Sequence, residues 1–451
     1  MIKTIKIKKG LNIKLQGEAE KILSNLIIPD RLALKPSDFY GIRPKLLLHP
    51  NDEVKAGTPI FYDKLNEKIK FVAPFAGKII DIIRGEKRAI LEIIIEPYKE
   101  NSYIDFGIAN PLELESEKIK ELLLQSGMWP AIRQRPYNII ANPYQKPKSI
   151  HISCFDTSPL APDYDFIVHG KGEAFQTGIN AISKLCDGKI FLNVPDNEYV
   201  SKVFLNTKNV TITKFSGPHP AGNVGIQIHH IDPINKGDVV WFINPQDIIK
   251  IGKLFLTGKY DSTKIIALAG SEVIHPKYFK VIEGTSINKL TENNIKEGKV
   301  RYISGNVLTG KKIESTGFLS YYDNLITIIP EYYGPPTLLG WLRPGFKKFS
   351  FSKTFLSGFI SSKSYKIDTN LNGAKRPFVF TGIYEKVLPM NIYPMQLLKA
   401  IITENIELME NLGIYEVAEE DLALCEFVCP SKIDIQEIIR KGLDLIRKEM
   451  S

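Results

Sequence analysis

Cysteine is scarce, with only Cys154, Cys186, Cys425 and Cys429 in 451 residues. Four thiols cannot frame a disulfide-stapled fold in so long a chain, and they predict reduced thiols of a cytoplasmic protein. No set of Cys and His has zinc-ligand spacing. No apolar run approaches the roughly 18 residues of a membrane-spanning helix, and Met1–Leu15 is too charged for a secretory signal. Any membrane contact is therefore expected to be peripheral. Long low-complexity tracts are also missing, and 43% hydrophobic with 24% charged residues is the composition of a folded chain. No nucleic-acid-binding motif is present.

What is there is length and positive charge. At roughly 100 to 200 residues per domain the chain should hold about three or four domains. The net charge of +9 is unevenly spread. Gly340–Phe380 carries eight basic residues (Arg343, Lys347, Lys348, Lys353, Lys363, Lys366, Lys375, Arg376) against Asp368 alone, whereas Ile401–Ser451 has twelve acidic and five basic residues. Trp341, Phe346, Phe349, Phe351, Phe355 and Phe359 interleave with the basic stretch. That combination suits an anionic membrane surface or an acidic protein partner, and equally a solvated loop packed over a core.

Periodicity changes along the chain. Ile5 and Ile7 alternate with Ile13 and Leu15 around Lys9-Gly10, which predicts a β-hairpin. Short β-runs follow at Leu46–Leu48, Pro59–Tyr62, Phe71–Ala73, Lys78–Ile83 and Ala89–Ile95, with no room for a helix between them. Val54-x2-Gly57-x-Pro59-Ile60 is echoed by Ala73-Pro74-x2-Gly77-x-Ile79, a doubled pattern that resembles the flattened barrel of biotinyl and lipoyl domains.

From Glu115 strands alternate with helices. Strands are predicted at Ser149–Phe155, Lys189–Val194, Val210–Phe215 and Val239–Ile243, and helices near Ala174–Leu185 and Pro245–Leu256, the pattern of a Rossmann-like α/β layer. Short strands return at Lys264–Leu268, Tyr278–Ile282, Lys299–Ile303 and Leu325–Ile329. The tail is predicted helical, with Tyr393–Leu412 as one helix, Glu419–Val428 as a second and Ile435–Ile446 as a third. The resulting division is 1–110 for hairpin and barrel, 111–258 for the α/β domain, 259–335 for a small β domain, 336–390 for the basic connection and 391–451 for a helical domain.

Several motifs carry chemistry beside a plainer reading. Asp63-Lys64 lies near where lipoyl and biotinyl domains present a modified lysine, and also suits a solvated turn. Cys425-x3-Cys429-Pro430 lacks the four thiolates of a [4Fe-4S] cluster and suits two buried helix-face thiols. His169-Gly170-Lys171-Gly172, expected after a strand, lacks the third glycine and acidic partner of a dinucleotide-binding turn. In Ser216-Gly217-Pro218-His219-Pro220-Ala221-Gly222-Asn223, prolines and glycines fix a loop after a strand. This is the usual address of an α/β site, so His219, Pro220, Gly222 and Asn223 are candidates, with a stiff turn as the alternative.

Two strings share a composition. Phe39, Tyr40, Gly41 and Arg43 before Pro44, and Met128, Trp129, Arg133 and Arg135 before Pro136, set aromatic rings and cationic donors on proline-stiffened backbone. A quinone headgroup needs flat apolar walls and donors for two carbonyl oxygens, which such strings supply. Interdomain packing is the alternative for each.

Taken with Arg84-Gly85-Glu86-Lys87-Arg88, Asp156-Thr157-Ser158-Pro159-Leu160-Ala161, Ser304-Gly305-Asn306-Val307-Leu308-Thr309-Gly310, Gly340-Trp341 and Glu419-Glu420-Asp421-Leu422-Ala423-Leu424-Cys425, these strings identify a resemblance that spans the chain. The chain resembles the A subunit of the bacterial sodium-translocating NADH:quinone reductase. That family is similar to the flavin-binding subunit of respiratory complex I and to the C subunit of the Rnf complex.

The resemblance implies an α/β multidomain fold of biotinyl/lipoyl-like barrel, Rossmann-like domain, β-grasp domain and helical C-terminus. It implies a peripheral subunit on the cytoplasmic side of the inner membrane, inactive alone, working with five other subunits. Together they pass electrons from NADH to quinone while sodium is exported. This subunit would help bind quinone and dock the complex. One glycine at the expected flavin loop and two tail cysteines imply that it holds neither FMN nor an iron-sulfur cluster. Readings of other classes are a soluble FMN-dependent NADH dehydrogenase and a biotin or lipoate carrier.

Overall fold

The computed structural model describes residues 2–333, 345–346, 348–352, 355–358, 364–379 and 381–450. The first two strands, β1 (Lys3–Lys6) and β2 (Glu20–Leu26), do not pair with each other. The barrel follows in seven strands: β3 (Leu32–Leu34), β4 (Pro44–Leu46), β5 (Glu53–Val54), β6 (Pro59–Asp63), β7 (Asn66–Val72), β8 (Gly77–Arg84) and β9 (Ile90–Pro97). They form two antiparallel sheets, β3-β9-β8-β5 and β4-β6-β7. Ile60, Phe61, Ile79, Ile93 and Ile95, none exposed, fill the space between them.

Next comes α1 (Ser116–Gln125), then β10 (Arg133–Arg135), β11 (Ile139–Ile140) and β12 (Ser149–Ser153). Helices α2 (Tyr164–Val168) and α3 (Gly172–Ser183), β13 (Lys189–Pro195), α4 (Lys202–Leu205), β14 (Thr211–Ser216), α5 (Val224–Ile231), β15 (Val240–Phe242) and α6 (Pro245–Thr257) complete the α/β domain. Strands β14, β13, β12 and β15 are parallel neighbours in that order, and β10 and β11 extend the sheet antiparallel. Helices α3 and α6 touch backbone to backbone. A Cβ on Gly252 would lie 1.7 Å from the carbonyl oxygen of Ala174, and one on Gly178 2.1 Å from that of Ile248.

The small β domain contains β16 (Thr263–Ala269), β17 (Lys277–Ile282), α7 (Asn288–Thr291), β18 (Val300–Ser304), β19 (Lys311–Ile313) and β20 (Leu325–Pro330). Its sheet order is β19-β18-β20-β16-β17-β2, so the second strand of the chain closes it. Five helices end the chain: α8 (Tyr384–Val387), α9 (Pro394–Ile402), α10 (Ile406–Asn411), α11 (Ala423–Val428) and α12 (Ile435–Glu449). In α12 the wholly buried Ile435, Ile439, Leu443 and Ile446 recur at helical spacing, which places that stripe against the core. No helix among the described residues is long and apolar enough to cross a membrane.

The expected N-terminal hairpin does not form. β1 lies parallel to β14, with Lys3 opposite Thr213 and Ile5 opposite Phe215, at the edge of the α/β sheet. Ile7 and Ile13 are buried among the C-terminal helices, so their alternation marks burial against a distant element. Gly10, at φ +141°, runs so close to the 216–223 loop that a Cβ would sit 2.1 Å from the His219 carbonyl oxygen.

Tyr393–Leu412 is likewise two helices. Glu404 takes a left-handed φ of 51°, and the Asn405 side chain caps α10 by accepting from the Leu408 amide. The segment before His169 is α2, where a strand was expected.

Two cores result. One joins the barrel to α1, α3, α6 and one face of the α/β sheet. The other joins the opposite face, through Phe215, Val240, Phe242 and α5, to the C-terminal helices. The α/β sheet is thus covered on both faces, as a parallel sheet requires.

Candidate functional site

A one-turn helix at Pro36–Asp38 delivers Phe39 inward and Tyr40 outward. The Phe39 ring packs 4.5 Å from Phe71, 4.9 Å from Tyr321 and 5.7 Å from Tyr322. Tyr40 faces the other way, 39% exposed, with the Arg440 guanidinium 4.8 Å from its ring centre. Gly41, at φ +77°, leaves room for Arg447, whose guanidinium nitrogen would be 1.7 Å from a Cβ there. Arg43 is exposed on the barrel, its backbone bonded to Asp63 and Lys64.

The second string begins just past α1, at Gly127, φ +74°. A Cβ there would come within 2.5 Å of Val72, so glycine is what lets the α/β domain seat on the barrel. Met128 and Trp129 are wholly buried; the indole N–H of Trp129 donates to the Ala141 carbonyl at 2.7 Å, and its ring meets Trp241 edge-on at 5.6 Å. Along β10 side chains alternate, so Arg133 and Arg135 share a face. Arg133 lies between the rings of Phe242 and Tyr322, 4.4 Å from each centre. Arg135 is fully buried, and its terminal nitrogens pair with Asp421 at 2.5 Å and Glu420 at 2.7 Å.

Tyr322 is where the two strings meet, touching Phe39 and Arg133 and donating its hydroxyl to the Pro130 carbonyl at 2.8 Å. Beside it lies a cavity of about 20 Å³ bordered by Phe39, Gly127 and Pro130 with Lys35, Glu283 and Tyr321. That is room for about one water molecule. Lys35 donates to the Phe318 carbonyl at 3.1 Å and the Ser320 hydroxyl at 3.0 Å.

Behind the cavity, burial works against the charge of Lys250. The carboxylates of Asp247, at 2.5 Å, and Glu283 outweigh it and raise its pKa well above the ordinary value. Tyr260 donates to Glu283 at 2.7 Å. The buried Tyr321 hydroxyl has no hydrogen-bond partner among the described residues, and burial lifts its pKa far above the ordinary range. Flat walls, a stacked cation and an unsatisfied hydroxyl are what a ring with carbonyl oxygens needs. Sequence reading missed Phe242, Tyr321 and Tyr322; the only local sign was the paired tyrosines at 321 and 322.

The 216–223 loop follows β14 and precedes α5, as expected of a loop after a strand. It does not border the cavity. The His219 ring nitrogen Nδ1 lies 3.1 Å from the Thr157 hydroxyl, the Gly222 amide donates to the same hydroxyl at 3.0 Å, and Asn223 donates to the Glu420 carbonyl. Pro220 follows a cis peptide bond. Burial pushes the His219 imidazole down to about 4, so the ring is neutral at pH 7. This loop and Arg135 therefore converge on Glu420 and Asp421, while Arg135 still lies 5.7 Å from the centre of the Phe242 ring that Arg133 covers.

In open parallel sheets ligands favour the crevice where strand order reverses, here between β12 and β15. Beyond β15, Asn244 donates to the buried Tyr164 hydroxyl at 2.6 Å, as does Asn324 at 3.1 Å. Lys64 is exposed at the β6–β7 hairpin tip, while Asp63 accepts from the Arg43 and Leu65 amides. Cys425 and Cys429 are buried, and Tyr384 donates to the Cys429 sulfur at 3.0 Å. Burial pulls the Lys171 ammonium down to about 8, and it donates to the Ile167 carbonyl at 2.8 Å. No group of three or more His, Cys, Asp or Glu among the described residues could hold a metal ion. Of the basic segment, Gly340, Trp341, Arg343, Lys347, Lys353, Phe359, Lys363 and Phe380 lie outside the described residues.

Three family models match the chain: the NqrA N-terminal barrel-sandwich hybrid domain over residues 5–98, the NqrA second alpha/beta domain over 114–260, and the NQRA C-terminal domain over 265–315. The A subunit of the Na(+)-translocating NADH-quinone reductase of Pasteurella multocida is 36% identical over 448 residues, 99% of this chain and 100% of that one. The protein of the same name from Neisseria gonorrhoeae is 37% identical over 449 residues, with the same coverage.

Proposed function

The chain belongs to the NqrA family, the A subunits of Na(+)-translocating NADH-quinone reductases, and from that premise we propose that it is a peripheral subunit on the cytoplasmic side of the inner membrane. It works with five other subunits in an enzyme that passes electrons from NADH to ubiquinone or menaquinone and exports sodium. Its own part is quinone binding and docking, with no tightly bound FMN or iron-sulfur cluster. The basic 336–390 connection serves the docking.

The observation that carries the quinone reading is the convergence of Phe39, Tyr322 and Arg133 beside an unsatisfied buried Tyr321 hydroxyl. The cavity is too small for a quinone ring as it stands, so the ring enters by displacing Tyr321 or Lys35. Arg133 then donates to one carbonyl oxygen and Tyr321 to the other. His219, Pro220, Gly222 and Asn223 hold the C-terminal helices against this assembly and do not touch the ring.

A photoreactive quinone applied to the assembled complex tests the reading. Labelling of Phe39–Arg43 or Met128–Arg135 is expected. Label confined to other subunits, with wild-type quinone kinetics in Arg43→Ala and Arg133→Ala complexes, would refute it. The exposed Lys64 on its hairpin tip keeps a second reading, a biotin or lipoate carrier, open to one measurement: a mass increment on that lysine.

A further inference from the structure

Part of the positive charge of the basic connection is neutralised inside the chain. Lys366 pairs with Glu272 at 2.7 Å, and Lys375 pairs with Asp434. Lys348 donates to Asn372 and lies over the Phe355 ring. The first fourteen described residues behave differently. Ile2–Leu15 holds Lys3, Lys6, Lys8, Lys9 and Lys14 and no Asp or Glu. All five are exposed, and among the described residues none has a carboxylate within ion-pair distance. Ile2, 50% exposed, immediately precedes β1.

These lysines join the basic connection in space. The Tyr365 amide donates to the Lys14 carbonyl at 2.8 Å, and the Gln16 amide donates to the Tyr365 carbonyl at 3.0 Å. The Gly10 amide bonds to the Lys386 carbonyl, which brings another exposed lysine alongside Lys9. Tyr365 packs on Phe349 at 5.3 Å. Exposed apolar side chains occur along the connection, with Phe346 at 58%, Leu371 at 60% and Val379 at 54%.

We propose that the N-terminal lysines, with Lys386 and the described residues around Tyr365 beside them, form a surface that docks on the anionic headgroups of a lipid bilayer. The inference rests on the reading of the chain as a peripheral subunit of a membrane enzyme. Unpaired lysines gather anionic lipid within about a Debye length, near 10 Å at 0.1 M salt, and exposed apolar side chains enter the headgroup boundary beside them. An acidic protein partner would need apolar pockets shaped to Ile2, Phe346 and Leu371, whereas a bilayer takes scattered exposed apolar side chains without such complementarity. A lysine-studded edge strand also protects a sheet from edge-to-edge pairing. That need is met by Lys3 and Lys6 on β1 itself, whereas Lys8, Lys9 and Lys14 lie beyond its end.

The test is sedimentation of the full chain with vesicles of equal parts phosphatidylglycerol and phosphatidylcholine. Binding at low salt should fade as salt rises and be missing on phosphatidylcholine alone. The triple variant Lys6→Glu, Lys8→Glu, Lys9→Glu, folded by circular dichroism, should lose more than about tenfold of its partitioning. The same change in net charge placed elsewhere, Lys99→Glu, Lys118→Glu, Lys208→Glu, should cost far less. Wild type that ignores anionic vesicles overturns the proposal, as does a triple variant that binds like wild type or only as weakly as the distant one. Loss of binding to the other subunits without any vesicle binding would assign the lysines to an acidic protein and overturn it too. Vesicle binding by a chain that never assembles with a quinone reductase would instead sink the functional reading and leave the surface standing.

Discussion

The Arg135 guanidinium meets the Asp421 carboxylate at 2.5 Å across 286 positions of sequence, both side chains fully shielded from water. Glu420 takes the other terminal nitrogen, Asp421 also accepts from the Ala418 amide at 2.9 Å, and Arg440 bonds to Glu419 at 3.0 Å. This cluster pins the helical domain to the α/β sheet. Two desolvated charges gain little net stability from each other, but removing one strands the other. Asp421→Ala should therefore cost about 3–5 kcal/mol in chemical unfolding. The paired change Arg135→Met with Asp421→Leu should recover most of that loss. Equal losses in the single and paired variants would show that shape rather than charge holds the junction.

The same pair predicts a pH dependence. Burial, with the Glu420 carboxylate beside it, outweighs Arg135 and pushes the Asp421 carboxyl up to about 6. A folded-state pKa raised above the unfolded value favours the fold as pH falls through it. Arg135→Ala should thus be less damaging at pH 5, where Asp421 accepts a proton, than at pH 8, where it stays charged and unpaired. Melting temperatures of variant and wild type at the two pH values check this. A gap that does not change with pH would count against it.

His219 gives the opposite sign. Its imidazole is held down to about 4 by burial, against 6.5 when unfolded. The unfolded chain binds the extra proton first, so this stability is complete above pH 6.5 and is lost as pH falls through about 4. The loss is on the order of 3 kcal/mol by linkage. His219→Gln should flatten the stability–pH curve across that window, measured by urea unfolding at each pH. A variant curve parallel to wild type would refute the assignment.

Arg133 and Arg135 share a strand face and should fail differently. Arg133→Ala removes a stacked donor at the domain junction, and each hydrogen bond to a quinone contributes roughly 0.5–1.5 kcal/mol. The apparent quinone KM of the complex should rise by up to about tenfold, with NADH oxidation by an artificial acceptor intact. Arg135→Ala should instead lower stability and leave quinone KM unchanged in the complex that survives. Interdomain packing alone at Arg133 would reverse that expectation, giving lost stability with normal KM.

Helix packing offers a test free of charge. Gly252→Ala puts a methyl 1.7 Å from the Ala174 carbonyl oxygen, which cannot yield without separating α3 from α6. Such overpacking typically costs about 1–3 kcal/mol. A neutral outcome in thermal unfolding would mean that these helices can slide apart freely.

Much of the architecture was readable because local pattern and final burial agree. The runs Lys78–Ile83 and Lys189–Val194 and the stripe Ile435, Ile438, Ile439, Leu443, Ile446 all form the elements they suggest. Where partners are distant in sequence, pattern misleads. Ile7 and Ile13 alternate like a hairpin, but their burial comes from helices at the other end of the chain. The break in Tyr393–Leu412 depends on one left-handed residue, Glu404, that helix propensity does not reveal. At the candidate site, Phe39 and Arg133 carried a compositional signal, whereas Tyr322, which joins them, comes from the small β domain. Arg135 could not be told from Arg133 by spacing, since only the acidic residues at 420 and 421 divert it.

Strand β1 completes the α/β sheet from its edge, yet the strand beside it begins at Thr211. On a ribosome adding roughly 5–20 residues per second, Lys3–Lys6 leaves the exit tunnel with its partner still untranslated for on the order of ten seconds or more. The barrel can close in that interval; the sheet edge cannot. A chain tagged or truncated at its N-terminus therefore alters a later stage of assembly rather than the first. Such chains should accumulate as folded barrels attached to an unfinished α/β layer.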